Sequence, residues 1–129
     1  MVLAIVLVFL GGAIGSICRY WWSGLVTQRL GDTFPFGTLF VNVVGSILVG
    51  IFSGLLVHMS NSSLSIALTQ LLVVGVCGGL TTFSSFSLQT FLLIAEGRWL
   101  AALSNIVFST GLSFGCVVLG WQITQGINI

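Results

Sequence analysis

The residues best placed to do chemistry are a run of twelve, Gly75-Val-Cys-Gly-Gly-Leu-Thr-Thr-Phe-Ser-Ser-Phe86, in the middle of a long apolar stretch. Two adjacent glycines loosen a helical backbone. Four hydroxyl residues then offer the freed carbonyls competing hydrogen bonds. Irregular backbone at membrane depth is tolerated only where it is buried in protein or lines a water-filled cavity. A broken helix there is a candidate ion or substrate site.

Two further patterns share this chemistry. Thr38, Asn42, Ser46, Gly50 and Gly54 are each four residues apart and form one slowly winding stripe. Asn105, Ser109 and Ser113 repeat the idea later in the chain. In lipid such groups must face protein or water. Serine hydroxyls can serve as interhelical glue instead. Asn42 differs, because its amide carries two donors that its own helix cannot satisfy. Phe83 and Phe86 lie three apart on one face, and an aromatic ring edge carries partial positive charge. The stripes contain amides, hydroxyls and ring edges but no carboxylate and no lysine. A cation pathway would want acidic groups. Weak neutral donors suit an anion that must be dehydrated yet released.

The elements that must position these groups are membrane helices. The chain has 129 residues, 57% of them hydrophobic and only 4% charged, with a mean hydropathy of +1.21. A soluble domain carries about a quarter charged residues. The charges are Arg19, Arg29, Arg98, Asp32 and Glu96, a formal net of +1. Nothing here could neutralise a row of phosphates, so a nucleic-acid partner is excluded. Cys18, Cys77 and Cys116 lie inside apolar spans without metal spacing and read as packing residues. The N-terminal stretch lacks a basic flank and is too long for a signal peptide, so it reads as a retained span.

Four spans are predicted, at 2–26, 37–58, 65–95 (the broken one) and 99–123, in one all-α membrane domain over 1–129. Trp21, Trp22, Trp99 and Trp121 fall near span ends. A polar loop 27–35, a short loop 59–63 and a tight turn 96–98 connect them. Arg29 and Arg98 share one side, which the positive-inside rule assigns to the cytoplasm, though so few arginines also allow dual topology, with insertion in both orientations. Four helices leave little room for a pore in one subunit, so a pathway should lie at an interface. Gly11/Gly15, Gly12/Ser16 and Gly50/Gly54 are small-xxx-small pairs, and the balance favours their use between subunits. Arg19, inside span one, would draw anions to a pore mouth, snorkel to the interface or cap helix-end carbonyls; the structural roles are favoured.

Three blocks make the chain recognisable: Gly11-Gly-Ala-Ile-Gly-Ser-Ile-Cys-Arg-Tyr20, Gly37-Thr-Leu-Phe-Val-Asn-Val-Val-Gly-Ser46 and Gly78-Gly-Leu-Thr-Thr-Phe-Ser-Ser-Phe-Ser87. Together they resemble the small fluoride channel family (Fluc, also called CrcB), over nearly the whole length. The resemblance implies an antiparallel homodimer of four-helix subunits in the inner membrane, with two fluoride pores. Some family members pair as heterodimers of paralogous subunits. It implies that Asn42 lines the pore, that Phe83 and Phe86 face it, and that Thr38, Ser84 and Ser109 lie along the path. It also implies a single structural Na⁺ at the dimer centre, on the backbone carbonyls of Gly78 and Thr81. Three positions depart from the family pattern: Ser87-Leu-Gln89 where an acidic residue is common, Asn105 where some members have Tyr, and Gly111-Leu-Ser113 where a Gly-Ser pair is usual. Asn105 and Ser113 are carried as further pore candidates on span four.

The expected function is therefore a passive fluoride channel, not an enzyme. The competing reading is a dual-topology antiporter of the small multidrug kind, which needs a midplane carboxylate in span one; span one has none. A membrane assembly factor would leave the stripes unexplained.

Overall fold

The computed structural model describes residues 1–59 and 62–126; two residues of the predicted 59–63 loop lie outside that range. Among the described residues the chain is all helical. Helix α1 spans Val2–Leu30 and α2 spans Phe36–His58. Helix α3 (Ser63–Leu68) runs into a π-helical segment Thr69–Cys77 and a last turn, α4 (Gly78–Leu80). Helices α5 (Phe83–Ala95) and α6 (Trp99–Gln125) complete the chain. Four helical units, counting 63–95 as one, are long and apolar enough to cross a membrane. The chain is a multi-pass membrane protein.

Local sequence explains where the helices start and stop. Helix α1 continues past the predicted boundary at 26 until Gly31, whose φ of 84° ends it while its N–H bonds back to the Thr27 carbonyl. Pro35 lacks an amide proton and precedes α2. Ser62 caps α3, its Oγ accepting from the Ser65 N–H at 3.2 Å. After α5, Gly97 adopts φ 75°, and the Gly97 and Arg98 N–H groups close on the Ile94 and Leu93 carbonyls. Arg98 then ties this turn to the α1–α2 loop through the Thr33 carbonyl. Its exposed ion pair with Glu96, at 3.3 Å, contributes little.

The interior inverts the pattern of a soluble protein. Six apolar residues are buried among the described ones, including Val41, Leu80 and Ala102, against eight polar ones, including Thr38, Thr82, Asn105 and Ser109. Lipid is as apolar as leucine, so the large side chains face outward and hydroxyls and amides join the helices.

Close backbone approach replaces bulky packing. A Cβ on Gly11 would lie 2.9 Å from the Gly75 Cα, and one on Gly79 would lie 2.6 Å from the Gly12 carbonyl oxygen. Both contacts seat α1 against 69–80. Gly50 and Gly120 face each other, so that either Cβ would come within 2.9 Å of a backbone nitrogen opposite. Gly54 meets the Thr124 side chain. The expectation that Gly11, Gly15, Gly50 and Gly54 serve mainly between subunits is corrected: all four are buried against backbone or side chains of their own chain.

Candidate functional site

The backbone at the centre of the predicted run divides unevenly. Gly78 and Gly79 remain helical, and the extended residues are Thr81 (φ −82°, ψ 155°) and Thr82 (φ −151°, ψ 117°). Gly79, like Gly75 before it, admits the close approach of α1, whereas Gly78 is exposed, meets nothing of α1 and simply stays helical. Thr82 organises the start of α5. Its Oγ1 accepts from the Ser85 N–H at 3.2 Å, the N-cap bond that begins the helix. The same oxygen lies 3.1 Å from the Ser84 hydroxyl and 3.2 Å from the Ser85 hydroxyl. A Thr three residues before Ser85 is the sequence sign of that cap.

Asn42 on α2 holds the extended pair in place. Its Nδ2 donates to the Thr82 carbonyl at 3.1 Å, and the Thr82 N–H donates to its Oδ1 at 2.7 Å. One amide thus does what a neighbouring strand would do. The amide keeps one N–H uncommitted. There is a second effect four residues back. The Thr82 N–H would otherwise bond the Gly78 carbonyl, which is left without its helical donor. On the other side, Arg19 Nη1 donates to the Thr81 carbonyl at 3.4 Å. Arg19 is thus a cap on a helix-end carbonyl, one of the two structural roles expected of it.

A cleft of about 470 Å³ opens beside this bridge. Asn42 and Ser46 of α2, Phe83 and Phe86 of α5, and Ser109 and Ser113 of α6 line it, with no charged residue on its walls. The Phe83 and Phe86 rings stand 5.4 Å apart at 46°. Phe83 is 79% exposed, so its own subunit leaves the ring largely uncovered. Ser46 and Thr110 join the lining although neither was a predicted site residue. Ser46 belonged to the α2 stripe; Thr110 follows Ser109 directly.

The other candidates fall elsewhere. Thr38 is buried on a second cleft of about 390 Å³, with Arg19, Ser23 and Ser85, and Thr82 borders both clefts. Four-residue spacing drifts about 40° per step on a helix of 3.6 residues per turn. The stripe therefore leaves the second cleft at Thr38, crosses the main one at Asn42 and Ser46, and ends against α6 at Gly50 and Gly54. Ser84 is exposed near the helix start. Asn105 lines neither cleft. At 1% exposure it donates to Thr90 Oγ1 at 2.8 Å and accepts from the Ser109 hydroxyl at 3.1 Å, joining α5 to α6.

This arrangement can do one kind of chemistry. An uncharged cleft with an amide N–H, hydroxyls and ring edges offers weak positive character to a small anion. Carbonyls freed at a helix interruption offer oxygen to a hard cation. Four apolar helices around such a site define a small membrane protein built to handle ions.

A sequence profile of the family described as "CrcB-like protein, Camphor Resistance (CrcB)" matches residues 6–121, and the chain belongs to that family. Curated relatives named "Fluoride-specific ion channel FluC" agree with the match. The Opitutus terrae protein is 46% identical over 92% of this chain and 90% of its own. The Nitrobacter winogradskyi protein is 48% identical over 91% of each. The Rhodospirillum rubrum protein is 50% identical over 77% of each.

Proposed function

We propose that this chain is a passive fluoride channel of the inner membrane. The observation that carries the reading is the uncharged cleft walled by Asn42, Phe83, Phe86, Ser109 and Ser113 beside the extended Thr81–Thr82 pair. Its relatives' names agree. Fluoride is small and strongly hydrated, so a path must replace its water without trapping it. The free N–H of Asn42 would donate one short bond, and the edges of Phe83 and Phe86 would add quadrupole attraction. Ser113 and Thr110 are further donors on the wall. Ser109 would have to rotate its hydroxyl away from Asn105 to join them. No group on the wall titrates, so no proton coupling is built in and the ion moves down its own gradient.

The subunit works as half of an antiparallel homodimer in this reading, with pairing to a paralogous subunit as a variation. The exposed Phe83 ring supports it, because an anion held at a ring edge needs the opposite side closed to lipid. A central structural Na⁺ belongs to the same proposal. The donor set fits: the Gly78 carbonyl has lost its helical partner, and the Thr81 carbonyl, with two lone pairs, carries one long bond from Arg19. The ion would supply positive charge that draws the two interruptions together; Arg19 opposes it in charge and fixes the orientation of the Thr81 carbonyl.

The test is ion efflux from liposomes containing the purified protein, read with fluoride and chloride electrodes. Fluoride release without chloride release is expected. Equal release of both would overturn the proposal.

A further inference from the structure

Away from both clefts, the outer faces of α1 and α2 enclose a groove of about 320 Å³. Trp22, Leu25, Val26, Arg29, Phe40 and Val44 line it, none shared with the clefts. Trp22 and Phe40 form one wall as an edge-to-face pair, with centroids 6.3 Å apart at 71°. The groove is apolar except at one end, where Arg29 stands exposed in the last turn of α1.

Arg29 has no acidic partner among the described residues; the ion pair there is Arg98–Glu96. The acid nearest in sequence, Asp32, lines a different recess with Thr27 and Glu96. An uncompensated guanidinium therefore sits at a helix end, above an apolar furrow. Arg29 lies seven positions beyond Trp22, about 10 Å along the helix axis. That is a charged head position joined to an apolar tail position.

We propose that this groove binds one anionic phospholipid. The Arg29 guanidinium takes the phosphate through parallel N–H bonds, which its planar fork suits. The upper acyl chain lies along Leu25 and Val26 and against the wall made by the Trp22 and Phe40 rings. The indole sits about 10 Å below the guanidinium, at the depth of the upper acyl chain. A net-negative headgroup is preferred over a zwitterionic one, because the groove has a cation and no carboxylate to meet an amine. In the proposed antiparallel dimer one such groove faces each leaflet, and the cytoplasmic one meets the leaflet with negative surface potential.

Quenching of tryptophan fluorescence by brominated lipids tests this on the full, assembled protein. It is reconstituted in phosphatidylcholine with a small fraction of brominated phosphatidylglycerol or, in parallel, brominated phosphatidylcholine. The brominated phosphatidylglycerol should be favoured by about fivefold in relative binding constant. Arg29→Gln should bring that ratio to about one, and Arg29→Lys should retain part of it. The chain has four tryptophans, so Trp22→Phe should remove the preferential component and leave the rest. Normal dimer elution and fluoride flux would show that the variants are folded. Equal quenching by both lipids, or a preference that survives Arg29→Gln, would overturn the proposal. So would loss of the preference on adding inorganic phosphate, since the site would then recognise the free anion. Absence of any Trp22 quenching would place the groove under a partner subunit and overturn it too.

Discussion

The Asn42 amide and the Thr82 backbone, forty residues apart, exchange two hydrogen bonds: Nδ2 to the Thr82 carbonyl at 3.1 Å and the Thr82 N–H to Oδ1 at 2.7 Å. A side chain on α2 thereby completes the backbone of the interruption before α5. The same pairing frees the Gly78 carbonyl and leaves one amide proton facing the cleft.

Asn42→Ala should lower stability by about 1–3 kcal/mol, because it leaves two backbone groups of a buried residue unpaired. Asn42→Asp keeps the acceptor for the Thr82 N–H but loses the donor and adds negative charge to the cleft. It should lose more flux than stability. Thermal melting and liposome efflux on both variants measure the split. An Asn42→Ala protein as stable as the parent would show that the bridge does not hold the interruption together.

Phe83→Ile and Phe86→Ile should each slow fluoride efflux by about tenfold or more, equivalent to about 1.4 kcal/mol on the barrier. Dimer elution should be unchanged, since both rings line the cleft and isoleucine keeps the site apolar. Undiminished flux in both variants would return the rings to packing.

Asn105→Ala should behave as a packing change. Each interhelical hydrogen bond in a membrane bundle is worth about 0.6 kcal/mol, so loss of the Thr90 and Ser109 contacts should cost about 1 kcal/mol. Fluoride-over-chloride selectivity should hold. A double-mutant cycle with Thr90→Ala isolates the first bond. Lost flux at full stability would instead make Asn105 part of the path.

Exchange of Na⁺ for N-methylglucamine during purification should lower the melting midpoint or weaken the dimer. A saturated site at a hundred times its dissociation constant contributes about 2.7 kcal/mol. Indifference to the exchange would argue against the central cation while leaving the anion path untouched.

The four spans were legible because hydropathy and length suffice to call for a membrane helix. The chemical character of the site was legible too. Hydroxyls, amides and phenylalanines without a carboxylate already pointed to an anion. The stripe on α2 was read as slowly winding, but which neighbour each member meets was not legible in the spacing. A four-residue repeat winds around the helix, so Thr38, Asn42 and Gly54 meet three different neighbours.

Composition and spacing by themselves settled that this chain has four stretches fit to span a membrane, that the polar groups of its stripes are neutral, and that residues 75–86 are special. Only the folded structure decided how that stretch works. Gly75 and Gly79 stay helical and admit α1, while Thr81 and Thr82 carry the extended backbone. Asn105 binds α5 to α6, and Arg19 caps the Thr81 carbonyl. The reason is physical. Sequence sets the angle of a side chain about its own helix, whereas the groups it meets depend on how closely and at what rotation a second helix is allowed to approach.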